Sequence, residues 1–143
     1  MKRLLCPLLL AFALPVGAAE DTRQFVAMPA SAQTVLRAEM LDMLAATHEI
    51  VELLATGKVK EAGAVAESRI GNGAKNLRHA GMTPAEMPGR HMPEAMRKLA
   101  WGMHDAGSAF ALVAQTGDAA KTLVALPTLT AACISCHAAY RTR

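Results

Sequence analysis

The sequence predicts an all-α protein, an antiparallel four-helix bundle with its chemistry on the C-terminal helix, and three observations carry that prediction. Ala and Leu dominate and Met is abundant at nine residues, whereas three Phe, one Trp and one Tyr are too few for an ordinary aromatic-rich sheet core. Apolar residues recur three and four apart along most of the chain, the spacing of a helix face. The turns between several of these segments are short, and short turns favour antiparallel neighbours.

Residues 1–19 are expected to be a cleaved secretory signal peptide. Met1-Lys2-Arg3 gives a short basic start, Leu4 to Val16 is almost wholly apolar, and Gly17-Ala18-Ala19 ends in the small residues that signal peptidase accepts. That apolar stretch falls short of the ~20 residues of a membrane span. No later run of such length is expected to lack charge, so no membrane insertion is expected after processing. Cys6, between Leu5 and Pro7, does not fit a lipoprotein site and leaves with the signal. The processed chain, residues 20–143, is one domain's worth. With Lys2 and Arg3 gone, thirteen basic residues face twelve acidic ones, and no basic cluster or aromatic ladder argues for nucleic acid or an anionic membrane.

The first helix is expected from Ser31, a plausible N-cap after Pro29, to Thr56. Val35, Leu36, Met40, Met43, Leu44, Thr47, Ile50, Val51 and Leu54 form its apolar stripe, and Gly57 stops it. A second helix is expected over Lys58 to Ile70, with Val59, Ala62, Val65, Ala66 and Ile70 on one face, continuing weakly past Gly71 and Gly73 to His79. Residues 81–92, with two Pro, two Gly and three Met, read as a connection. Pro93 suits a first helical turn, so a third helix is expected to Thr116 with Met96, Leu99, Ala100, Met103, Phe110 and Val113 inward. Gly117-Asp118 turns into the fourth, which runs to about Tyr140 and is expected to kink or split at Pro127.

Chemistry concentrates in Cys133-Ile134-Ser135-Cys136-His137, a C-x-x-C-H sequence. Two thiols three residues apart can add to the two vinyl groups of one haem, and the adjacent imidazole can then reach the iron. The pattern therefore predicts one covalent haem c, with Cys133 and Cys136 as attachment sites and His137 as proximal ligand. The competing readings are a Cys133–Cys136 disulfide, a thioredoxin-like redox pair and half of a zinc site. No second cysteine pair exists for zinc, and no βαβ pattern surrounds the motif.

The tail from Ala132 to Arg141, with the motif near the chain's end and Tyr140-Arg141 after it, resembles the class II c-type cytochromes, the family of cytochrome c-prime and its low-spin relatives. The resemblance implies a periplasmic four-helix protein, redox partner proteins, and in some members homodimers through the first two helices. It also implies a distal residue on the first helix, about one turn after an Arg near the haem edge. Arg37 is the equivalent Arg and a candidate partner of a haem propionate, with Arg78 and Arg90 as further candidates. One turn on, Met40 and Leu41 are both distal candidates, and Met43 is another. A Met sulfur on iron suits electron transfer; a Leu leaves an open iron face that suits NO or CO.

His79, Met82, Met87, His91, Met92, Met96, Met103 and His104 raise the question of a copper site, but their spacing is irregular and several Met fall on the inward side of the third helix. Trp101 and Phe110 read as core or haem-pocket packing. No nucleophile, base and orienting group come together, so the chain is not read as an enzyme. The functional expectation is a periplasmic monohaem electron carrier. Its alternatives are a five-coordinate cytochrome c-prime binding NO or CO, and a haem-free helical metal-binding or thiol redox module.

Overall fold

The computed structural model describes residues 20–143; the expected signal peptide lies outside the described residues. Its elements in chain order are β1 (Gln24–Phe25), α1 (Ala30–Ala55), α2 (Val59–Arg69), α3 (Asn72–Arg78), a single 3₁₀ turn at Pro88–Arg90, α4 (Glu94–Ala114), α5 (Ala119–Ala139) and β2 (Tyr140–Arg141). The protein is all-α apart from β1 and β2, which pair in parallel with Gln24 opposite Tyr140 and Phe25 opposite Arg141.

The long helices start and stop for local reasons. Pro29, not Ser31, caps the start of α1: its fixed φ suits the entry, and its carbonyl accepts the Gln33 N–H at 3.0 Å. At the other end Gly57 takes φ +76°. There the Lys58 N–H bonds to the Leu53 carbonyl at 2.8 Å and the Gly57 N–H to that of Leu54 at 3.1 Å, a Schellman closure that satisfies two orphan carbonyls. Pro93 stands just before α4 rather than within its first turn. Asp118 caps α5, its carboxylate accepting the Lys121 N–H at 3.0 Å.

The second expected helix is two helices. At Ile70-Gly71 the chain breaks, and the freed groups find partners across the gap: the Asn72 N–H donates to Ser108 Oγ at 2.9 Å and the Gly73 N–H to Glu67 Oε1 at 2.8 Å. Pro127 does not split its helix. α5 runs unbroken through it, because Pro127 sits on the exposed side, where a missing backbone bond costs least.

α1 packs along α2, α2 along α4, and α4 along α5, whereas α1 and α5 make no comparably close approach. The main core joins Met43, Ala46 and Ile50 of α1 to Val59, Ala62, Ala66 and Ile70, and to Met103, Phe110, Ala111, Ala114 and Leu129. Arg69 fastens α1 to α2 from outside this core through Asp42 and through Glu49 at 2.8 Å, and Arg78 of α3 reaches Asp42 at 2.7 Å. A smaller cluster of Val26, Met28, Ala32 and Met96 gathers Leu36, Met92, Cys136 and Tyr140 around it.

α5 departs from expectation in its composition as well. Residues 122–140 carry no Asp, Glu, Lys or Arg, so an uncharged run of near-membrane length does exist, and by length and composition this helix could cross a bilayer. Only Thr122 and Leu129 are buried along it. An apolar helix so little covered by its own chain is the structural fact that the site must account for.

Candidate functional site

Cys133, Cys136 and His137 occupy the last turns of α5 at positions i, i+3 and i+4, so one side of the helix presents both thiols and the imidazole. Cys136 packs against the cluster of Val26, Met28, Ala32 and Met96. Cys133 lies one turn earlier, its Sγ 3.9 Å from the Leu129 carbonyl. Neither cysteine is in a disulfide. Both are half-buried, and burial pushes each thiol above its ordinary pKa, with Cys133 adding to the effect at Cys136. His137 is exposed.

Helical periodicity places these groups beside the open side of the molecule. On α1, Asp42 and Glu49 face Arg69 of α2, so the flank turned away from α2 carries Met40, Leu44, Thr47 and Val51. On α5, Lys121, Ala125 and Thr128 line a groove shared with Val113 of α4. The flank turned away from α4 therefore carries Leu123, Leu126, Thr130, Ile134 and His137. By helical periodicity these two flanks lie on either side of the α1–α5 seam, where the two helices approach each other less closely than the other neighbouring pairs do. Leu44 is 67% exposed, Val51 48%, Leu123 54% and Ile134 66%, so the apolar rim of this seam is left uncovered by protein.

The distal candidates separate on this geometry. Met43 is buried in the main core, Met40 is half-buried beside it, and Leu41 is 62% exposed. Arg37, on the turn before Met40, is exposed. Arg78 is already engaged by Asp42 and by the Arg69 carbonyl, while Arg90 is exposed at the 3₁₀ turn. Phe110 is core, but Trp101 is not: it is 48% exposed, with the Lys75 ammonium 5.6 Å from its ring centre.

The remaining histidines have local partners. His79 Nε2 meets Glu39 Oε1 at 2.7 Å, His91 Nε2 meets the Ala85 carbonyl at 3.1 Å, and His104 Nδ1 meets the Ile70 carbonyl at 2.6 Å. Among the described residues no group of three or more His, Cys, Asp or Glu side chains is placed to hold a metal ion. The C-x-x-C-H turn thus offers one imidazole and two thiols rather than a chelating set. That donor set fits a metal that brings its own equatorial ligands on a macrocycle and needs from the chain attachment and an axial donor. It does not fit a bare zinc ion, which takes four protein donors in a structural site.

Sequence reasoning missed the segment before α1. Asp21, Arg23, Phe25, Val26 and Met28 all bear on the site, and no sequence signal marked them: Val26 and Met28 are buried and Ala27 between them exposed, but all three are apolar and show no alternation. No family model matches the chain, and no curated protein or solved structure matches it either.

Proposed function

We propose that this chain is a periplasmic monohaem c-type cytochrome that carries electrons, with residues 1–19 as its leader and α1, α2, α4 and α5 as an antiparallel four-helix bundle. The observation that carries the reading is the placement of Cys133, Cys136 and His137 beside an open α1–α5 seam with an uncovered apolar rim. A flat apolar macrocycle is the ligand chemistry such a seam suits, and the C-x-x-C-H turn is the means of tethering it. α5's apolar character is then that of a cofactor-facing helix, one that also packs lengthwise on α4.

Haem, when bound, supplies reversible one-electron exchange at iron. The chain's residues do the rest. Cys133 and Cys136 would hold the haem through thioether bonds to its vinyl groups. His137 would supply an imidazole nitrogen to the iron. Met40, on the seam flank of α1 and half-buried, would supply a thioether sulfur to the iron, and Arg37, one turn earlier and exposed, would pair with a propionate. Leu44, Val51, Leu123 and Ile134 exclude water from the seam's edge, which limits solvent reorganisation when the charge on the iron changes. Leu41, on the exposed side of α1, is the weaker distal candidate.

The test is expression of the full chain with cytochrome maturation machinery, followed by haem staining and absorption spectra of ferric and ferrous protein with and without CO. A covalently stained band and a low-spin spectrum unmoved by CO are expected. A high-spin ferrous spectrum with rapid CO binding replaces the electron carrier with a five-coordinate gas binder. An unstained, correctly secreted protein sinks both and leaves the haem-free thiol module.

A further inference from the structure

We infer that residues 21–28 form a strap that holds the C-terminal turn of α5, with Arg23 as the positioning residue for His137. The inference rests on the cytochrome reading for the ligand role of His137, and on the structure alone for the strap.

A proximal ligand at this place has a problem that its helix cannot solve. His137 is two residues from the end of α5, within the last turn, where carbonyls lack helical partners and ends fray. Fraying there would swing the imidazole relative to the two attachment cysteines. The residues before α1 supply what the helix lacks. The Arg23 guanidinium reaches the His137 carbonyl, one of the orphan acceptors, with Nη1 at 3.5 Å.

Arg23 does not find that carbonyl by chance of rotamer. Asp21 holds its guanidinium in a two-pronged pair, Nε to Oδ1 at 2.9 Å and Nη2 to Oδ2 at 2.7 Å, leaving Nη1 for His137. The same Asp21 carboxylate stands 3.5 Å from Arg141 Nε. Arg141 in turn lies over the Phe25 ring at 5.2 Å, and its carbonyl accepts the Val26 N–H at 2.8 Å. The parallel pairing of Gln24 with Tyr140 and Phe25 with Arg141 fixes the strap's register. Val26 and Met28 then anchor its far end in the apolar cluster against which Cys136 and Tyr140 pack. The strap thus grips the backbone of His137, the flank of Cys136 and the two residues that follow the helix.

The experiment uses full-length holoprotein carrying Arg23→Ala, Arg23→Lys or Asp21→Asn, beside wild type. Two readouts are taken: the iron–histidine stretching band by resonance Raman, recorded on ferrous protein that also carries Met40→Ala so that the iron is five-coordinate and the band is visible, and hydrogen exchange of the amides of residues 138–141. Arg23→Ala is expected to speed exchange of those amides roughly fivefold, the effect of losing one capping interaction, and to shift or broaden the iron–histidine band. Arg23→Lys, which keeps charge but not the fork held by Asp21, is expected to restore neither fully, and Asp21→Asn to move both in the same direction. Stoichiometric haem with both readouts unchanged in Arg23→Ala overturns the strap and leaves the cytochrome standing. Faster exchange with an unmoved band overturns the positioning role. A wild-type protein without haem overturns that role together with the cytochrome reading.

Discussion

Gly107 of α4 and Gly71 at the α2–α3 break meet backbone to backbone: a Cβ on Gly107 would stand 2.9 Å from the Gly71 nitrogen and 3.0 Å from its Cα. The obstacle is main chain, which cannot rotate away, so Gly107→Ala is expected to cost about 1–3 kcal/mol by overpacking. Gly102, on the same helix with nothing within 4 Å of its missing Cβ, is the internal control. Gly102→Ala is expected to stabilise by about 0.5–1 kcal/mol through helix propensity. Urea unfolding of the two variants decides the matter, and equal midpoints would refute the close crossing.

Asp42 is expected to dominate acid sensitivity at the α1–α2 contact. Hydrogen bonds from Arg69 hold its carboxyl below the usual range, burial opposes them, and Arg78 adds to the lowering. A depressed folded pKa means that the stabilisation is present above the unfolded value of about 3.9 and is lost as pH falls through the folded one. Asp42 is 39% exposed on its side chain, so the screened worth of the pair is about 1 kcal/mol. Asp42→Asn should lose that amount at pH 7 and flatten the stability curve below about pH 4. An acid limb as steep as wild type would show that another carboxylate carries the effect.

The raised thiols of Cys133 and Cys136 predict slow chemistry in haem-free protein. Reaction with an aromatic disulfide reagent at pH 7 should lag a free cysteine, and the rate should keep climbing beyond the ordinary thiol pKa of about 8.5. A plateau at or below that pH would mean that burial does not govern these thiols.

Met40 and Leu41 give a paired test of the seam. In holoprotein, Met40→Ala is expected to convert a low-spin spectrum to one that binds CO, while Leu41→Ala should leave the spectrum as it is and stability within about 0.5 kcal/mol. A wild-type spectrum that is already high-spin and CO-binding, altered by Leu41→Ala but not by Met40→Ala, would place Leu41, not Met40, over the iron.

Sequence made the helices legible because their apolar stripes are long: Ile50, Ala62, Ala66, Met103 and Phe110 are expected inward and are buried. It misplaced Leu44 and Val51, which sit on the same stripe yet face the seam, because periodicity reports a helix's apolar side and not whether a neighbouring helix covers it. Trp101 failed for a related reason, as an exposed ring shielded in part by Lys75 looks in sequence like any core aromatic. The second helix is expected to end at Ile70 with only a weak continuation to His79, and the break does fall at Ile70-Gly71; that Gly107, 36 positions on, lies against the Gly71 backbone there is what sequence could not show. The C-x-x-C-H spacing is local, so the placement of Cys133, Cys136 and His137 on one side of α5 could be read from it. The strap was not, because Arg23 finds His137 only in three dimensions.

That pairing has a kinetic meaning. Arg23 and His137 are 114 positions apart, so their contact closes almost the whole described chain into one loop. Such closure repays its entropy only after the intervening helices have drawn the ends together. The turn bearing Cys133 and Cys136 is then among the last parts of the molecule to be immobilised. On the cytochrome reading, both thiols would until then stay within reach of the machinery that attaches the haem.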